Sequence, residues 1–522
     1  MTDEQKRRIG QMLMVGIPGK MSGNKFLAFA EKYYIGNYCI SSDNAESVES
    51  LCNINSDIRA ATHANTGAYP FISIDQEGGW VTRFYEGAAL IPGEMSYSAA
   101  GADGEKMRCV GKQLGKILRA VGCNMVNSPV LDVNVDSDNP IIGTRSYGDD
   151  PERVSELGSG FVCGLTEAKV LGVVKHFPGH GNVKGDTHLG ATVNGVDADT
   201  FKNTELIPFK RAFESGGAGG LMTAHVTYKG FSNEPATVSK EIMTELLRKE
   251  LGFDGVAMTD SMNMNAMSKI YPNGEGAVRA IEAGCDILLF YPLSEEIFEE
   301  AIKAIYSAVE SGRISEERIT ESYERIIRQK ARFKIEYASP DLALANKLVY
   351  DSNAIESVFC DKLDSITCLK DNGVLSHLGD EKILCISPVC DALRGVEESR
   401  RKILSFADEF SKEFKNAIPC ISSLGGMTDS VKNALDGEYG IAIIGVFDAS
   451  CTDGQNEIID ELKKRGKKTV AVLLRSPYDY KLVSDCDAVI CCYEYTTLAV
   501  NATVSAMKNN DYKGTLPINI EF

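Results

Sequence analysis

The sequence predicts an α/β protein: a (β/α)8 TIM-like barrel over residues 1–337, a linker at 338–350, and an αβα layered domain over 351–522. Three observations carry this. Short all-apolar runs alternate with amphipathic stretches through the first two-thirds of the chain, as strands buried on both faces alternate with covering helices. Chemically capable polar residues follow several of these runs, as in a barrel that gathers many strand ends into one pocket. Past a break at Pro340, a second series of apolar runs begins.

The strand-like runs are Met12–Val15, Phe71–Ile74, Gly172–Val174, Gly220–Met222, Gly255–Met258 and Asp286–Phe290. Between them, Ser239–Leu251 and Gly276–Gly284 have helical patterning; the first opens on Ser239 with an acid close behind and stops at Gly252. An open doubly wound sheet shares this local signature but offers one main crevice. Here Asp75, Lys175, His176, His225 and Asp260 all sit at strand ends, which favours the barrel. The charged helical stretch Glu316–Glu336 closes the unit. The following YASPDLALANKL reads as turn and connector, because Pro340 bars a continued helix. In the second unit the expected strands are Lys382–Ser387, Gly440–Phe447, Thr469–Leu474 and Asp487–Cys492. No glycine-rich dinucleotide fingerprint, P-loop or internal repeat appears.

Composition narrows the function. With 522 residues, 43% hydrophobic and 25% charged, the chain has the makeup of an ordinary globular protein with large cores. Its formal charge of −18 and lack of a basic stripe argue against a nucleic-acid partner. No apolar run approaches a membrane span, and the N-terminal stretch lacks a secretory pattern, so no membrane partner is expected. Fifteen cysteines, an odd number set mostly in apolar stretches, read as buried free thiols in a reducing compartment, the cytoplasm. Cys385 and Cys390 lack the two-residue spacing of a zinc or redox pair, and the chemistry read below requires neither a metal nor an organic cofactor.

The densest chemistry lies in KHFPGHGNVKGDTHLG, Lys175–Gly190, which holds His176, His180 and His188, three of the chain's six histidines. Its glycines and Pro178 make it a loop at a strand's end. Asp186 and His188 lie two apart, and a carboxylate against an imidazole makes a proton shuttle near neutral pH. The competing readings are a loop held by structural hydrogen bonds, or a zinc site whose geometry this spacing does not define. Asp260 directly follows an apolar run: it either caps the next helix or points a carboxylate into the pocket. In IDQEGGWVTRF, Asp75 and Glu77 flank a strand end, with Arg83 following; Arg145 stands in IIGTRSYGDD. Such groups bind sugar hydroxyls or serve as structural ion-pair partners. Trp80, the sole tryptophan, either stacks on a sugar or packs in a core or interface.

Together DQEGGWVTRF, SPVLDVN, GTRSYGDD, KHFPGHG followed by DTH, LMTAHV, GVAMTDSMNM and the closing KGTLPINI resemble the glycoside hydrolase family 3 β-N-acetylglucosaminidases of cell-wall recycling, in their two-domain form. The resemblance implies a retaining exo-glycosidase that removes terminal β-linked GlcNAc from muropeptide or chitin-type fragments. It implies Asp260 as nucleophile, His188 as acid/base and Asp186 as its partner, with Asp75, Arg83, Arg145, Lys175 and His176 around the sugar. The sequence departs from the family at Trp80, where an arginine is usual, and at Asn182, where many relatives carry Asp. A neutral histidine base also admits inorganic phosphate as acceptor, which would make the protein a phosphorylase. A non-catalytic sugar-binding protein is the alternative of another class. The expected state is monomer or homodimer.

Overall fold

The computed structural model describes residues 1–19, 23–183, 192–389, 405–424, 426–450 and 454–520. Eight parallel strands close into a barrel: β1 Leu13–Gly16, β2 Asn37–Ile40, β3 Phe71–Ile74, β4 Met125–Val126, β5 Leu171–Phe177, β6 Gly220–Thr223, β7 Val256–Ser261 and β8 Ile287–Phe290. Each pairs with its neighbour in sequence. Closure comes where β1 meets β8, with Leu13 opposite Leu288 and Val15 opposite Phe290. Helices cover the outside, so the strands are buried on both faces; the one strand residue of the barrel that is not buried is Asp260.

The six apolar runs all lie in this barrel, and β2 and β4 complete it. Neither gives an apolar run to read: β4 has two residues, and β2 opens on a buried asparagine. That Asn37 donates to the carbonyls of Gln11 and Leu13 and accepts from the Phe71 amide, bridging three neighbouring segments. Asn124, just before β4, likewise links Pro70 and Ile72. Two polar residues thus satisfy backbone groups at the end of the barrel remote from the pocket.

That same end is tied by charge. Asp286, fully buried before β8, accepts from Arg248 at 2.8 Å, Arg325 at 2.7 Å and Ser322 at 2.7 Å. Arg325 and Ser322 lie on the helix Glu316–Arg332, so the closing helix is pinned beneath the barrel. The stretch opened by Ser239 is a π-helix, Glu241–Glu250, and the Ser239 hydroxyl accepts from the Ile242 amide. Where turn and connector were expected after Pro340, a helix forms at Leu342–Val349. Asp341 caps it by accepting from the Leu344 amide, and its apolar side packs on the barrel helices.

The second domain holds a six-stranded sheet in the order β9-β14-β13-β12-β10-β11, formed by β9 Thr367–Asp371, β10 Ile383–Pro388, β11 Ala417–Ser422, β12 Ile441–Val446, β13 Lys468–Leu473 and β14 Ala488–Cys491. The central four answer to the four expected strands. The two edges were not among them: β9 is polar and antiparallel, and β11, although apolar in AIPCIS, is interrupted by Pro419 and half exposed. An apolar core lies on each sheet face, and both cores include barrel residues: Trp80 in one, Met95 and Ala99 in the other.

Candidate active site

β3 delivers Asp75 at its C-terminal end, and a short hairpin, Gln76–Gly78 with Val81–Thr82, follows at once. Asp75 accepts from Arg83 Nη2 at 3.2 Å and Asn127 Nδ2 at 3.0 Å, and lies 3.7 Å from Lys175 Nζ. Glu77 is the buried hub beside it. Arg145 grips both its carboxylate oxygens at 2.8 Å, and Lys175 reaches Oε1 at 2.6 Å. Burial opposes the Glu77 charge, but the Arg145 and Lys175 cations outweigh it and hold the carboxyl well below its ordinary range. Removing either partner of such a buried pair costs about 3–5 kcal/mol.

Neighbours on a regular strand face opposite ways, yet Lys175 and His176 both line the pocket. The pairing of β5 with β6 slips between Val174 and Phe177, and this irregularity turns both inward. His176 is held from behind by Asp132, whose carboxylate accepts from ring Nδ1 at 2.7 Å and from the His176 amide. With Nδ1 donating to a carboxylate, Nε2 is oriented by its partner. Asp132 also accepts from the His180 amide at 2.7 Å. Burial works against its charge, but the His176 contacts prevail and hold its carboxyl below the usual range.

Asp260 stands near the end of β7, opposite this group. A second slip, between Met258 and Ser261 against β8, lets Asp260 and Ser261 both face the pocket. Asp260 Oδ1 accepts from the Ser261 amide at 2.7 Å, and the Ser261 hydroxyl donates to the Tyr291 carbonyl. Asp75, Glu77, Arg83, Arg145, Lys175, His176 and Asp260 thus share one cavity of about 300 Å³, closed by apolar Val81, Met222, Met264 and Leu289. That volume is at the lower end for small-molecule pockets and suits a single sugar ring.

Asp186 and His188 lie outside the described residues. The stem leading to them is described: buried His180, which burial pulls down to about 4 and keeps neutral, and Gly181, packed on Val133. His225 does not line the pocket. Its Nε2 donates to the Ser261 carbonyl at 3.0 Å and its Nδ1 accepts from Thr237, so it braces β7 from behind. Trp80 also points away, into the second domain.

Asp132 and Asn127 were not singled out from the sequence. Both lie in irregular chain after β4, where no apolar run marks them; the only signal was the SPVLDVN stretch, which contains Asp132 and directly follows Asn127.

Residues 4–329 match the family described as Glycosyl hydrolase family 3 N terminal domain. A Beta-hexosaminidase A from Pseudoalteromonas piscicida is 28% identical over 511 residues, spanning 89% of this chain and 84% of its own. A Beta-hexosaminidase from Nitrosomonas eutropha is 31% identical over 287 residues, 54% of this chain and 81% of its own. Among solved structures, a glycoside hydrolase family 3 beta-N-acetylglucosaminidase from Paenibacillus sp. aligns with TM-score 0.91 and 30% identity over 99% of both chains. With its closed barrel, second sheet domain and matching N-terminal family region, the chain belongs to glycosyl hydrolase family 3 and is a glycoside hydrolase.

Proposed function

We propose that this protein is a retaining exo-β-N-acetylglucosaminidase. The observation that carries the reading is Asp260, the one strand residue of the barrel that is not fully buried, facing the same small cavity as a fixed network of carboxylates and cations. Asp75, with Arg83 and Lys175, offers charged acceptors and donors to sugar hydroxyls, and His176 is oriented by Asp132. The names of its relatives support GlcNAc as the sugar.

In the first step Asp260 attacks the anomeric carbon while His188, its tautomer set by Asp186, protonates the departing glycosidic oxygen. The C–O bond breaks, and the sugar is left as an ester on Asp260. Neutral His188 then takes a proton from water, the oxygen of which displaces the carboxylate and returns both groups to their starting states. No cofactor enters this sequence. Cell-wall or chitin-type fragments are the proposed substrates and the cytoplasm the proposed compartment, in keeping with thirteen free cysteines among the described residues. No helix among those residues is long and apolar enough to cross a membrane.

The test is proton NMR of the purified protein acting on chitobiose and on GlcNAc–anhydroMurNAc, each with and without phosphate. On GlcNAc–anhydroMurNAc, the aglycone of which is not itself GlcNAc, the β-anomer of free GlcNAc should appear first. First release of the α-anomer would contradict retention, phosphate-dependent GlcNAc 1-phosphate would make the protein a phosphorylase, and no product would remove the reading.

A further inference from the structure

The hairpin that carries Glu77 has its tip inside the other domain. Trp80 is only 5% exposed and belongs to the apolar core on one face of the second sheet. Its ring lies 5.5 Å from Phe447, and the Arg475 guanidinium sits over it at 5.2 Å, itself paired to Asp448 at 3.2 Å. Gly79 beside it takes φ +52°, and any side chain there would collide with the Glu494 carboxylate. Glu494 in turn accepts from the Gly93 amide at 2.7 Å, and Lys362, buried in the second domain, donates to Ser96 at 2.7 Å. On the pocket's other side, Asn134 donates to the Tyr478 hydroxyl at 2.7 Å and accepts from the Gly143 amide, two residues before Arg145. Both ends of the Glu77–Arg145 pair are therefore backed by the second domain.

We propose that the second domain is a positioning element of the sugar pocket: by enclosing Trp80 it fixes the hairpin bearing Glu77, and through Glu77 it sets Arg145 and Lys175. Trp80 and Phe447 are positioning residues, neither of which lines the cavity. Glu77 is acceptor for two cations at once, so a tilt of the hairpin moves both and spoils the fit to sugar hydroxyls. Small misplacements of binding groups weaken the hold on the sugar and lower kcat/KM steeply.

The test compares Trp80→Ala, Trp80→Phe and Phe447→Leu with Asn519→Ala, which removes the side-chain half of a domain contact to Asp149 away from the hairpin. Two readings are taken on the full chain: KM and kcat on an aryl β-N-acetylglucosaminide, and hydrogen exchange of the amides of residues 76–84. Trp80→Ala and Phe447→Leu should cut kcat/KM about tenfold or more, chiefly by raising KM, and quicken exchange across 76–84. Trp80→Phe should restore most of the loss, and Asn519→Ala should match the parent. Folded Trp80→Ala or Phe447→Leu protein with parental kinetics and exchange would overturn the proposal. Should Trp80→Ala fail to fold, Phe447→Leu decides. The kinetic arm rests on the N-acetylglucosaminidase reading, whereas the exchange arm does not: in a parent inactive on this substrate, unchanged exchange in Phe447→Leu would still sink the grip.

Discussion

Single residues gather at strand ends because a barrel leaves them nowhere else to act, and their neighbours set their charge. Glu205, buried against Gly179, shows how far burial shifts a carboxyl. Burial pushes it up to about 7, against the opposing pull of its own backbone amide and of the Asn182 side chain. Its folded pKa exceeds the unfolded one, so its contribution to stability is full below about pH 4 and is lost as pH rises through 7. Glu205→Gln, which mimics the protonated acid, should therefore melt higher than the parent at pH 8, by on the order of 3 kcal/mol at most, with the gap closing towards pH 4. Melting curves from pH 4 to 8 check this, and a gap independent of pH would refute it. Asp75, Lys175, His176 and Asp260 were legible because each falls within two residues of the end of an apolar run. Asp132 was not, since its work depends on a loop folding back behind His176.

At the scale of elements, the strands were legible where they are long and apolar, and lost where polar groups replace side-chain burial, as in β2 with Asn37. The slips in β5 and β7 were also invisible: a one-residue irregularity leaves no trace in a hydrophobic pattern, yet it turns Lys175 with His176, and Asp260 with Ser261, toward one cavity. The stem after β5 depends on close backbone approach. A Cβ at Gly181 would drive into the Val133 carbonyl, one residue from Asp132. Gly181→Ala should displace this stem and lower kcat by roughly tenfold to a hundredfold, while circular dichroism stays parental. Unchanged kcat in the folded variant would show that the stem's path does not matter to turnover.

For the whole molecule, the alternation of strands and helices predicted two α/β units from local periodicity, and the polar residues at several strand ends favoured a barrel over an open sheet for the first. How the two meet was not legible. Trp80 stood in the sequence with two readings, sugar platform or interface, and only the fold brings Phe447 and Arg475 around it from more than 350 residues away. In the proposed mechanism Asp260, at the tip of one strand, attacks a sugar whose leaving group is served by His188, which follows another strand in sequence. Peptide mapping of acid-quenched His188→Ala protein, after reaction with an activated aryl β-N-acetylglucosaminide, tests this most directly. The first step needs little acid help with such a leaving group, while the second stalls without the base, so the intermediate should accumulate. The account predicts the mass of one N-acetylglucosaminyl residue on Asp260; turnover that continues with Asp260 unmodified, or a sugar attached to another side chain, would contradict it.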